Sequence, residues 1–229
     1  MSETRKIYDE HLVEIRNDVV KLAAGVCEQI GRATQALLDA DLEMVDQVFD
    51  AHEDHNARVV DLEQRVYQLF ALQHPLAGDL RSLLSVLRIL HEIELTSGLM
   101  RNVARQTRRV YPRELAPRVR GIIERMGAQA SIQMHLAVDA FADNDANIAS
   151  ALPDMDDVMD DLQKELFRAI FAAGAPDESA LQTAVQTAFI GRDYERAADH
   201  AVTIGRWVQF TVTGRIPGET AIQDGDDII

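Results

Sequence analysis

Apolar residues along most of this chain recur at alternating three- and four-residue steps, the period of a helix that buries one stripe. Leu12, Ile15, Val19, Leu22 and Val26 form one such row, and Val59, Leu62, Val66 and Leu69 a second. Leu83, Val86, Leu90, Ile93, Ser97, Met100 and Ala104 form a third. No stretch alternates with the period of two that a half-buried strand requires, so the spacing predicts an all-α protein. The rows stop at "LDADLEM", "LQHPLAGD", "RVYPREL", "FADNDAN" and "AAGAPDES", where Pro, Gly and Asp/Asn clusters favour turns and helix caps. Six helices of about 30 residues, each about 45 Å long at the helical rise, are expected.

The rows also repeat. Val59, Leu62, Val66 and Leu69 fall on Met159, Leu162, Leu166 and Ala169 at an offset of 100. Pro75 meets Pro176 at 101, and the same 101 carries Ile93, Glu94 and Val103 onto Tyr194, Glu195 and Ile204. A duplicated three-helix unit follows. Two tandem three-helix bundles are expected over residues 1–111 and 112–214, with short connections making neighbouring helices antiparallel. Residues 215–229, which show no sustained period, are expected to be a loose acidic tail.

Charge narrows the possible partners. A formal charge of -15 over 229 residues repels phosphate backbones and anionic lipid, so direct nucleic-acid binding is not expected. The single cysteine, Cys27, forms no internal disulfide and is expected to be a small core residue. The N-terminal segment has no secretory apolar core, and no run approaches the length of a membrane span. A cytoplasmic protein without membrane insertion is the expectation.

The candidate site is acidic. On the last helix the apolar seam runs through Ile190, Tyr194, Ala197, Ala201, Ile204 and Val208, leaving Glu195 and Asp199 off it, towards water. On the preceding helix Asp156 and Asp160 flank the seam at the same i, i+4 spacing. One such pair alone reads as a solvated surface, with Arg192–Glu195 and Arg196–Asp199 ion pairs offsetting the repulsion. Both pairs facing one groove would give four hard oxygen donors, suited to Mg, Mn, Ca or iron. The corresponding first-half residues are Asn56, Val60, Glu94 and Gly98, which retain one carboxylate.

"LQHPLAGDLRSLLSVLRI", with "DDVMDDLQKELF" and "RDYERAADHAVTI", resembles segments of the PhoU family of phosphate-transport regulators. The resemblance covers residues 5–214. It implies two tandem three-helix bundles and a negative regulator of phosphate uptake and of the phosphate-starvation response. Such a protein is an adaptor between the ABC phosphate transporter, through its ATPase, and a sensor histidine kinase. It also implies a divalent metal or iron cluster, carried over here onto Asp156, Asp160, Glu195 and Asp199 of the second bundle only. "HEIELTSGLMRN" departs from the family pattern and looks like the degenerate first repeat of actinobacterial members. A homodimer is expected, and no enzymatic activity.

Other features weigh less. His91 in "LHEIELT" resembles a phosphoacceptor box, giving the alternative of a helical histidine-phosphotransfer or metal-binding module, but its seam-adjacent spacing predicts a partly buried packing residue. "HEDH", with His52 and His55, is expected to be solvated surface. The basic stretch from Arg101 to Arg120, seven Arg in twenty residues, reads as solvated helix ends or as a dock for an anion or acidic partner between the bundles.

Overall fold

The computed structural model describes residues 3–73 and 77–215, so the expected tail beyond Arg215 and part of the "LQHPLAGD" break lie outside the described residues. Among the described residues there are seven helices: α1 Glu3–Leu38, α2 Leu42–Gln73, α3 Ala77–Val110, α4 Pro117–Asp143, α5 Ala146–Ser150, α6 Leu152–Ala173 and α7 Glu178–Thr213. No strand occurs among the described residues. The expected seams are buried on α2, at Val59, Leu62, Val66 and Leu69, on α3, from Leu83 to Ala104, and on α7, from Ile190 to Val208, while Leu12 of the α1 row is partly buried.

The breaks are built by short polar side chains. Asp41 accepts from the backbone N–H groups of Glu43 and Met44 at 2.9 and 3.0 Å, capping α2. Asp145 caps α5 through Asn147 and Ile148 after Asn144 turns left-handed at φ 53°, and Asp177 caps α7 through Ala180. The fifth long helix of the sequence expectation is divided into α5 and α6. Pro153, at the start of α6, has no N–H for the carbonyl four residues back, and its ring crowds that carbonyl, so the helix cannot run through Ala149 unbroken.

Packing partners define two layers. Helix α3 packs on α1, α2 and α7, while α7 packs on α3, α4, α5 and α6, and α1 packs on α4. Helices α2, α3, α7 and α6 therefore lie side by side with α1 and α4 behind them. Partners across α3 and α7 run in opposite directions: Ser85 with Trp207, Glu92 with His200, Gln106 with Asp193 and Arg109 with Gln186. The two repeats are thus related by a pseudo-two-fold axis through the α3/α7 contact. They share one continuous hydrophobic core rather than two, because Thr96 and Ala197, at the middle of that contact, are wholly buried.

Close approach is what permits this sharing. A Cβ on Gly127 of α4 would overlap the side chain of Thr34 on α1, so glycine is required where the two rear helices meet.

Candidate functional site

Helices α6 and α7 run antiparallel, with Leu166 against Gly191 at one end and Leu152 against Gly205 at the other. That register brings the two acidic pairs to one place. The carboxyls of Asp156 and Glu195 each feel both Asp199 and Asp160, and Glu195 feels Asp156 as well. Both are pushed above the usual carboxylate range, first by desolvation and then by the charge of Asp199. Wholly buried Gln133 of α4 and exposed Arg192 act in the opposite direction on Asp156 and Glu195 respectively.

Glu195 does not stand out in water as its position off the seam suggested. Its side chain is only 12% exposed, because α6 covers it, while Arg192 engages its Oε1. The second expected ion pair, Arg196 with Asp199, is not formed among the described residues. Asp156 Oδ1 and Glu195 Oε2 are buried oxygens without a hydrogen-bond partner. Orphaned, mutually repelling oxygen donors suit a hard cation in chemical type. As they stand, however, no three His, Cys, Asp or Glu among the described residues are grouped closely enough to hold a metal ion.

The equivalent place in the first repeat is built differently. Asn56 Nδ2 donates to His52 Nε2 at 3.1 Å, so His52 Nδ1–H donates to Ser97 Oγ at 2.9 Å. His52 and His55 are buried, which corrects the expectation of a solvated "HEDH". The signal was present in the sequence: Val45, Val48, His52, His55 and Val59 form one seam of three- and four-residue steps, and both histidines sit on it. Burial drives His55 down to about 4 and lowers His52, with Arg101 adding repulsion at His52. Gly98 leaves His52 room, and Val60 is exposed. This face therefore presents neutral imidazoles, an amide and a nearby guanidinium where the second repeat presents four carboxylates.

His91 is an exposed residue of α3, 3.9 Å from Glu94, rather than a packing residue, and its neighbour Glu92 turns inward instead. Glu92 Oε2 accepts from His200 Nδ1 at 2.6 Å across the repeat boundary, a pairing that no local pattern reveals because it joins residues 108 apart. Cys27 is buried in α1 with its thiol pushed up to about 12, as an inert core residue.

Known proteins share this architecture. The PhoU domain model matches residues 19–107 and 123–208. The phosphate-specific transport system accessory protein PhoU homolog 1 of Mycobacterium tuberculosis is 36% identical over 219 residues, 95% of this chain and 98% of the relative. The homolog 2 protein of the same organism is 34% identical over 214 residues, 93% of this chain and 100% of the relative. The crystal structure of PhoU from Pseudomonas aeruginosa superposes with a TM-score of 0.86 at 25% identity, covering 91% of this chain and 100% of that one. The phosphate transport system regulatory protein PhoU from Streptococcus pneumoniae has the same fold, with a TM-score of 0.83. Two matched repeats and end-to-end relatives together place this chain in the PhoU family.

Proposed function

We propose that this protein is an accessory regulator of phosphate-specific transport that restrains phosphate uptake and the phosphate-starvation response. In this reading it is a cytoplasmic, non-enzymatic adaptor, a homodimer that links the ABC phosphate transporter to a sensor histidine kinase. The observation that carries the proposal is the end-to-end similarity to proteins named for an accessory role in phosphate-specific transport. No helix among the described residues is long and apolar enough to cross a membrane, so the adaptor would act on transporter and kinase from the side. To repress, it must bind their quiet conformations more tightly than their active ones, since equal affinity shifts nothing.

Within that reading, Asp156, Asp160, Glu195 and Asp199 would hold a hard divalent cation or iron. A bound cation would supply positive charge that relieves their mutual repulsion and ties α6 to α7. The first repeat would hold none, given Asn56, Val60 and Gly98 at the matching positions. The chain's own contribution is to keep two of the oxygens desolvated and unpaired.

Deletion of the gene, followed by a phosphate-starvation reporter in high phosphate, tests the regulatory role. Derepression is expected; unchanged output would sink it. Elemental analysis of protein purified without chelator tests the metal, with more metal expected in the parent than in an Asp160→Ala, Glu195→Ala double variant. Equal metal in both rejects the site. The exposure of His91 favours a second reading, phosphotransfer through its imidazole; full repression by a His91→Ala variant removes it.

A further inference from the structure

Four arginines line the outer side of α3 and α7, three of them exposed at the contact of the two helices and the fourth, half-buried Arg101, continuing the row along α3. Arg101, Arg105 and Arg109 follow one another at i, i+4 and i+8 on α3, which aligns them along one helix face. Arg196 comes from α7. The two helices bring Arg105 and Arg196 together at Asp193, whose carboxyl feels both, while Arg109 Nη1 reaches Gln186 on α7 at 3.5 Å and Arg101 extends the row towards His52 of α2.

None of the four forms an ion pair with any described residue, and Arg101 Nε is buried without a partner. By contrast, Arg108, Arg113, Arg120, Arg125 and Arg192 all have carboxylate partners. The acids close to the cluster do not neutralise it. Asp193 is buried, takes its hydrogen bond from Gln106 at 3.1 Å, and as a single carboxyl offsets at most one of the four guanidinium charges. Asp199, three residues from Arg196, belongs to the acidic face of α6 and α7.

A helix C-terminus attracts cations only within its last turn, which accounts for Arg109 and not for Arg101, Arg105 or Arg196. Nor is the cluster inherited from the duplication. At the offset of 101 the partners of Arg101, Arg105 and Arg109 are Val202, Arg206 and Phe210, and that of Arg196 is Leu95. The positive strip therefore occupies one half only of a nearly symmetric surface, in a molecule of charge -15.

We propose that Arg101, Arg105, Arg109 and Arg196 form a docking strip for an acidic helical segment of a partner protein. The shape favours an extended partner over a small anion, because the strip runs along two helix faces and its arginines line none of the three cavities formed by α1 with α2 or by the ends of α4, α6 and α7. Guanidinium forks engage carboxylates in pairs, and a strip spaced by helical turns matches glutamates spaced the same way. Its one-sidedness would fix which way round the partner lies. This deepens the adaptor reading and rests on it for a biological partner, though not for the binding itself.

The test uses the full chain and a fluorescein-labelled, helix-forming peptide with glutamates along one face. Its control is the same peptide with glutamines in their place, and duplex DNA serves as competitor. The parent is expected to bind the glutamate peptide, with affinity falling as salt rises, and the glutamine peptide at least about tenfold more weakly. Arg105→Glu with Arg196→Glu should remove that preference, while Arg118→Glu, an exposed arginine of α4, should leave it intact, circular dichroism showing the same helix content in all three. Equal binding of the two peptides, retained preference in the double variant, or displacement by DNA at equal phosphate concentration would each overturn the proposal. Phosphate signalling plays no part in this assay. Unchanged reporter output in the deletion strain therefore defeats the regulatory reading alone, and loss of peptide discrimination defeats the docking strip alone.

Discussion

The hydroxyl of Tyr194 on α7 lies 2.7 Å from Thr34 Oγ1 on α1, joining the last helix of the second repeat to the first helix of the first. Tyr194 is wholly buried, and burial raises its phenol above the ordinary range, so it stays a neutral hydrogen-bonding group. Thr34 also donates to Ile30 O at 2.7 Å, and therefore accepts from Tyr194. Tyr194→Phe keeps the ring and removes the donor. A loss of about 1 kcal/mol in unfolding free energy is expected, read by urea denaturation, because Thr34 retains its backbone partner.

Close packing of α6 on α7 makes a second prediction. A Cβ on Gly191 would overlap Leu166 Cδ2, and Leu166 is itself fully buried with little room to move. Gly191→Ala is expected to cost about 1–3 kcal/mol by overpacking. Gly121→Ala on α4 is the matched control, since a Cβ there meets nothing within 4 Å. It should be neutral or stabilise by up to about 1 kcal/mol through helix propensity. Thermal melts of both variants check the contrast.

Acid sensitivity should be traceable to His55. Its folded value of about 4 lies below the ordinary 6.5, so the unfolded chain takes up the proton first. Stability from this residue is complete above pH 6.5 and is lost as pH falls towards 4, on the order of 3 kcal/mol in total. Met155 is its counterpart at the offset of 100, so His55→Met substitutes what the second repeat already uses at this seam position. The variant's unfolding free energy should fall less than the parent's between pH 6.5 and 4.

Asp193 should show the opposite dependence. Its folded value of about 6 stands above the ordinary 3.8, so the native state holds the proton more tightly than the unfolded chain. The penalty for ionising it is absent below the lower value, grows as pH rises, and is full above about 6. Asp193→Asn keeps an acceptor for Gln106 and removes the charge. It should be more stable than the parent at pH 8, by on the order of 2 kcal/mol, with the advantage disappearing near pH 4. An advantage that does not change with pH would show that the gain comes from packing.

Much of this molecule was legible in its amino-acid sequence because helical periodicity is a local property. The seams of α2, α3 and α7, the caps Asp41, Asp145 and Asp177, the duplication, and the acidic pairs at i, i+4 all follow from residues within a few turns of one another, or from comparing two such stretches. Even the buried His52 and His55 lay on a readable seam; their polarity outweighed their spacing in the expectation, whereas the packing of α2 on α3 follows spacing. What only the tertiary structure decided is what each outward face meets. Glu195 became mostly buried because α6 lies over it, His91 stayed exposed while Glu92 turned in to His200, and Pro153 divided a helix whose seam reads as continuous. On α3, Arg108 meets Asp46 of α2, whereas Arg101, Arg105 and Arg109 form no ion pair with any described residue. A seam records that a helix will be buried on one side. The partner of each side chain is set by the register between helices a hundred residues apart, and that register depends on the fit of Gly127, Gly191 and Leu166 rather than on any local pattern.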